Sequence, residues 1–236
     1  MAKTKAPAKK SADGENKPIR HLYLIDGSGY IFRAYHALPP LTRPDGTPVN
    51  AVFGFSKMLT QLLDDPEVDH VAVILDAGRT TFRNQIYDKY KANRPEPPED
   101  LIPQFPLIRE AAKAFGLPCC ELEGYEADDL IATYARMALE AGGTCTIVSS
   151  DKDLMQLIRP GVEMMDPIKQ RKMGPEAVME KFGVTPDKVV DVQALAGDST
   201  DNVPGVPGIG VKTAAQLLNE FGDLETLLKS TASIKQ

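Results

Sequence analysis

From Leu22 onward the chain alternates short apolar runs with longer stretches of helical periodicity. The runs are LYLI (22–25), VAVIL (71–75), LPCCEL (117–122), TCTIVS (144–149) and VEMM (162–165). Runs this short and this apolar fit strands buried on both faces. Between them, VFGFSKMLTQLL (52–63), FPLIREAAKAF (105–115) and ADDLIATYARMALEA (127–141) read as helices. Gly142-Gly143 is a fitting stop for the last of these. The alternation predicts an α/β fold with a parallel sheet and right-handed crossovers.

After about residue 174 the strand signal ends. GPEAVMEKFG, PDKVVDVQALAG, KTAAQLLNEFG and DLETLLKS are short helical segments separated by Gly and Pro. The expected organisation is an α/β core over 20–174 and a helical subdomain over 175–236 that stops abruptly, as if cut from a longer chain. Residues 1–19 are rich in Lys, Ala and Pro, without apolar periodicity, and read as a disordered tail. No apolar stretch follows the lysines, so a secretory signal is not expected. No apolar run approaches the ~20 residues that span a bilayer. Three cysteines without CxxC spacing support neither a disulfide framework nor a zinc site. A soluble protein of the reducing cytoplasm is expected, with no membrane partner.

Charge complicates this picture. The net charge is −6, yet residues 1–20 carry six Lys/Arg and two acids, so the remainder stands at −10. Much of that excess sits at special places. LYLI is followed by Asp26, VAVIL by Asp76, and TCTIVSS by Asp151 and Asp153. Glu126, Asp128 and Asp129 open the helix after the third strand, and GDSTDN adds Asp198 and Asp201 at a spacing that would share one side of a helical turn. In open α/β sheets ligands bind beyond the carboxyl ends of strands, so these acids are expected on one rim. Crowded carboxylates raise one another's pKa and destabilise a fold unless cations intervene. Oxygen ligands without His or Cys suit Mg²⁺ or Mn²⁺, and two such ions ~4 Å apart can clamp the oxygens of a phosphodiester undergoing displacement. A single Asp here could equally be a helix N-cap; nine acids in such positions cannot all be caps.

Two further segments suit nucleic acid. RTTFRNQIYDKYKANR (79–94) carries five Lys/Arg, Arg83 among them, against one Asp, interleaved with Phe82, Tyr87 and Tyr90. Basic side chains neutralise phosphates and aromatics stack on bases; a solvated amphipathic helix is the plain alternative. PGVPGIGVKTA (204–214) permits a tight turn whose backbone N–H groups face a phosphate. It is not a nucleotide P-loop, because Val211 separates Gly210 from Lys212.

Together LIDGSGYIFRAYHALPPL (24–41), LDAGRTTFRNQIYDKYKANRP (75–95), EGYEADDLIAT (123–133), VSSDKDLMQLI (148–158) and LAGDSTDNVPGVPGIGVKTAAQLL (195–218) resemble the bacterial 5′-nuclease domain found at the amino terminus of DNA polymerase I, within the flap-endonuclease superfamily. The resemblance implies a PIN-like sheet flanked by helices, a helical arch at about 79–102, and a helix–three-turn–helix at about 190–221. It implies one metal around Asp26, Asp76, Glu126 and Asp128, another around Asp151, Asp153, Asp198 and Asp201, and Asp129 behind them. Lys91 and Arg94 match arch residues that approach the scissile phosphate, and Tyr90 a stacking position. Gly208, Gly210 and Lys212 match the duplex-gripping turn, which often carries K⁺. Implied substrates are DNA flaps, nicks and RNA primers, with a polymerase following. Where the family often has lysines after Asp76, this chain has Gly78-Arg79-Thr80. Three alternatives stay open: a non-catalytic DNA-binding module, a PIN-type ribonuclease, and a phosphatase with an Asp nucleophile. The second would lack the glycine hairpin; the third would leave hairpin and arch unexplained.

Overall fold

A computed structural model describes residues 20–234; the tail assigned to 1–19 lies outside the described residues. Six strands form one sheet: β1 His21–Asp26, β2 His70–Ile74, β3 Cys119–Cys120, β4 Thr144–Val148, β5 Val162–Met165 and β6 Lys172–Met173, ordered β3-β2-β1-β4-β5-β6. The chain winds from β1 to one side through β2 and β3, then returns to add β4 and β5 on the other. The order therefore reverses between β1 and β4, the place where open α/β sheets bind ligands beyond the carboxyl ends of their strands.

Strand alternation divides the core into two layers. Tyr23 and Ile25 of β1, with Val71 and Val73 of β2, face α1 (Gly27–Ala37), α2 (Asn50–Leu63) and α4 (Gln104–Ala114). Leu24, Ala72, Ile74, Cys145 and Ile147 face the other way, towards α5 (Ala127–Glu140). That second layer continues through Val178 and Phe182 of α6 (Pro175–Phe182), Val192 and Leu195 of α7 (Val189–Ala196), Leu218 of α8 (Val211–Phe221) and Leu227 of α9 (Leu224–Lys229). The carboxyl-terminal helices share a core with the sheet.

Three expectations need correction. The sheet is mixed: β6 pairs antiparallel with β5, because the 166–171 connection is a tight turn too short for a parallel crossover. The strand expected over 117–122 contracts to two residues; Pro118 lacks an N–H to pair, and Leu122 has left the sheet, 52% exposed. In the basic segment the regular helix is only α3 (Phe82–Ile86), capped by Thr81 and Asn84. Tyr87 turns extended (φ −141°), and turns lead to Pro95, Pro97 and Pro98, which oppose helix.

A buried glutamine ties α4 to α2. Val49 gives α2 no side-chain cap, and Gln104, fully buried, substitutes by accepting the Ala51 N–H at 2.8 Å. Its amide donates to Asn50 Oδ1 and the Asp100 carbonyl, both at 2.9 Å. Among the described residues no helix is long and apolar enough to cross a membrane.

Candidate active site

Asp26 ends β1 and also caps α1. Its Oδ1 accepts the Gly29 N–H at 2.8 Å and its Oδ2 the Ser149 hydroxyl at 2.7 Å. A Cβ on Gly29 would lie 2.5 Å from Asp26 Oδ2, so a larger residue there would push the carboxylate aside. Asp76, two residues past β2, accepts the Ser28 hydroxyl at 2.7 Å and the Ala127 N–H, at the start of α5, at 2.8 Å. Glu126 occupies the N-cap position of α5 and is 8% exposed. Asp129, in the first turn, accepts the Glu126 N–H at 3.0 Å and is gripped by both Nη atoms of Arg83 at 2.8 and 2.7 Å. Asp128, one position earlier, is half-buried and receives no hydrogen bond among the described residues.

Electrostatics locate these acids together. Burial raises the Asp26 pKa against its two hydrogen bonds, and the charges of Asp151 and Asp76 raise it further. Asp128 is pushed well above the usual carboxylate range by burial, then by Asp26 and Asp151, against the pull of Lys91. Asp153 is raised by burial and by Asp151. Acids from four chain segments thus share the rim at the switch point.

The Asp198 loop completes it. Gly197, at φ +72°, ends α7; a Cβ there would stand 2.4 Å from the Gly205 backbone N. Asp198 then bridges to Val203 in antiparallel fashion, so Asp198 and Asp201 sit in a loop and not on the expected helical turn. They diverge. Asp198 takes Lys152 Nζ at 2.5 Å; burial would raise its carboxyl, but the lysine and the Thr200 N–H at 2.7 Å hold it below the usual range. Asp201 instead meets Arg94 at 2.6 Å, the Tyr90 hydroxyl at 3.0 Å and Lys91 Nζ at 3.6 Å. Lys91 also reaches Glu126 at 2.8 Å, and the Tyr90 hydroxyl lies 3.0 Å from Glu126. Burial, with both carboxylates, raises the Tyr90 pKa, keeping its phenol a donor. Tyr90 is thus anchored by its hydroxyl, with Lys91 Nζ 5.0 Å from its ring centre.

Among the described residues no three of these side chains close into a ready-made metal cage. Instead Lys91 bridges Glu126 and Asp201, Lys152 bridges Asp153 and Asp198, and Arg94 pairs with Asp201. The oxygens converge from separate elements and carry no His or Cys among them, so the set fits hard divalent cations once these ammonium and guanidinium groups turn away. A cavity of about 450 Å³ lies beside the rim, its walls including Phe32, Tyr90, Arg94 and Phe105 as well as Asp76 and Glu126. Gly208 (φ +82°), Gly210 and Lys212 lie at the entry to α8.

Sequence reasoning missed several supporting residues. Ser28 and Ser149 orient Asp76 and Asp26, and each lies within two residues of a strand-ending acid, a usable signal. Lys152 lies between two of the acids. Gln193, which donates to Asp153 Oδ1 at 2.5 Å from α7, gave no signal at all.

Residues 21–183 match the model described as 5′-3′ exonuclease, N-terminal resolvase-like domain, and residues 184–236 match the 5′-3′ exonuclease, C-terminal SAM fold. The chain is 61% identical over 224 residues to DNA polymerase I of Rhizobium leguminosarum, covering 92% of this chain but only 22% of that protein. It is 42% identical over 212 residues to a 5′-3′ exonuclease of Aquifex aeolicus, covering 90% of this chain and 73% of that one. Among solved structures, T5 5′-exonuclease with bound divalent zinc aligns with a TM-score of 0.72 at 22% identity, covering 89% of this chain and 85% of that one. A T5 D15 flap endonuclease in a pseudo-enzyme-product complex with DNA and metal ions aligns at 0.74 and 22%, covering 89% and 78%. At that identity these two show the fold. With both halves matched in order, the chain belongs to the 5′-3′ exonuclease family, of which the amino-terminal region of bacterial DNA polymerase I is a member.

Proposed function

We propose that the chain hydrolyses DNA phosphodiesters at 5′ flaps, nicks and RNA-primed ends with two or more divalent cations, Mg²⁺ or Mn²⁺. It would act as the amino-terminal part of a DNA polymerase I, in the cytoplasm at the nucleoid, in primer removal and repair. The observation that carries this reading is the pile-up of carboxylates at the switch point, where Asp26 and Asp128 are driven towards protonation by burial and by neighbouring acids. Such a group is costly unless its function requires the charge.

Asp26, Asp76, Glu126 and Asp128 would hold one cation and Asp151, Asp153, Asp198 and Asp201 another, with Asp129 behind them. When bound, the cations would polarise phosphoryl oxygens and lower the pKa of the attacking water. Lys91 and Arg94, released from Glu126 and Asp201, would stabilise charge developing on the phosphoryl oxygens. Arg83 would contact the DNA backbone and Tyr90 would stack on a base. Gly208 and Gly210 would present backbone N–H groups to the duplex, with Lys212 beside them and K⁺ at the turn. In this reading 20–174 is the nuclease core with its arch at 79–102, and 175–236 is the DNA-gripping subdomain with its helix–three-turn–helix at 190–221.

The test offers a labelled 5′-flap duplex, a single-stranded RNA and a small phosphate ester with Mg²⁺, then with EDTA. Cleavage of the flap alone, abolished by EDTA, is expected. Asp153→Asn and Asp201→Asn should each abolish cutting while leaving flap binding largely intact; undiminished cutting by either would overturn the metal assignment.

A further inference from the structure

Lys91 is one of three non-glycine residues with positive φ among the described residues, at 55°. A residue with a side chain leaves that region unless neighbours hold it. The hold here is specific. The Lys91 N–H donates to the Asp201 carbonyl at 2.9 Å. On either side, two asparagines reach across in opposite directions: Asn93 Nδ2 donates to the Ser199 carbonyl at 2.9 Å, and Asn202 Nδ2 to the Lys89 carbonyl at 2.7 Å. The partners are 106 and 113 positions apart in sequence. Asn202 has φ 56°, a conformation asparagine tolerates better than most residues.

Neither amide titrates, and amide nitrogens have no role in an oxygen metal site. Nor does any strand or helix need these bonds, since both segments are turns. What the bonds fix is geometry. They lay the segment carrying Lys91 and Arg94 against the loop carrying Asp198 and Asp201. The strained Lys91 backbone then aims Nζ between Glu126 and Asp201, at 2.8 and 3.6 Å.

We propose that Asn93 and Asn202 are positioning residues, a reciprocal clasp that joins residues 89–94 to residues 199–202 and holds Lys91 and Arg94 in register with the carboxylate rim. The proposal rests on reading Lys91 and Arg94 as phosphate-facing groups. Without the clasp, Lys91 relaxes to negative φ and its ammonium leaves the rim. The Asp198–Asp201 loop then loses its tether to the basic segment.

The test uses the full chain with Asn93→Ala, Asn202→Gly and the double variant; glycine keeps the positive φ while removing the amide. Hydrogen exchange at the amides of residues 89–94 should accelerate about tenfold or more in the double variant. The single-turnover rate on a flap duplex with Mg²⁺ should fall about 10- to 100-fold, while the flap Kd measured in Ca²⁺ stays near the wild-type value. In a Lys91→Ala/Arg94→Ala background the clasp variants should add little further loss, because they act by placing those two side chains. Unchanged exchange at 89–94, a full cleavage rate, or losses that add fully to Lys91→Ala/Arg94→Ala would overturn the proposal. If the double variant melts early, the single variants decide by the same criteria. Should the wild type cut no flap, the functional reading fails, and the exchange measurement alone decides the clasp.

Discussion

Asp128→Asn should make the protein more stable and less active. The wild-type carboxylate is half-buried, accepts no hydrogen bond among the described residues, and faces Asp26, Asp151 and Glu126. An acid whose folded pKa is raised costs stability above its unfolded pKa of ~3.9, and regains that stability as the pH falls through the folded value. Asparagine keeps the shape and removes the charge. Relief of a poorly solvated, unpaired charge is worth about 1–3 kcal/mol. Partial exposure to solvent places the gain in the lower half of that range. For a chain of this size each kcal/mol moves Tm by about 2–4 °C, so a rise of about 2–8 °C is expected. Thermal melts in EDTA near neutral pH measure it, and the difference should close as the pH is lowered. In millimolar Mg²⁺ the order should narrow or invert, since the wild type gains cation binding and the variant gains less. Flap cleavage should fall about 100-fold or more. An Asn variant that melts at or below the wild type in EDTA, or gains equally from Mg²⁺, would refute the electrostatic argument.

Gln104→Leu should lower stability by about 2–4 kcal/mol, because it strips the cap from α2 and leaves the buried Asn50 amide oxygen without a donor; urea unfolding measures this, and a loss under about 0.5 kcal/mol would count against the cap. Asp129→Asn tests the Arg83 pair. Burial opposes the Asp129 charge, but Arg83 and the Glu126 N–H together hold its carboxyl below the usual range. Its contribution is therefore present above ~3.9 and lost as the pH falls through the lower folded value. The variant should lose about 1 kcal/mol near neutral pH and show a flatter acid limb in a pH series of melts; an unchanged acid limb would be the contrary result.

Most of the sheet could be read from apolar runs, because strands buried on both faces announce themselves. The acids that end β1, β2 and β4 were legible for the same reason: a charged residue abutting such a run has few other uses. What failed was local. Pro118 truncated a strand whose composition still looked right, and a connection of six residues between β5 and β6 reversed a direction that periodicity cannot report. The Asp198–Asp201 spacing suggested a helix; the Gly197–Gly205 crossing makes a loop, and that close approach is visible only in three dimensions. Gln193 and the two clasp asparagines act on partners far away in sequence, so no window of neighbouring residues could reveal them.

The hydrophobic layer that begins at Leu24 and runs without a break to Leu227 has a mechanical consequence. The element bearing Gly208 and Lys212 packs through Ala214, Ala215 and Leu218 of α8 into the same continuous layer that backs the Asp26 strand. It cannot slide or pivot without opening that packing. A duplex seated on it would therefore present its backbone at one fixed offset from the rim, and the place of scission would be measured from the seat and not chosen base by base.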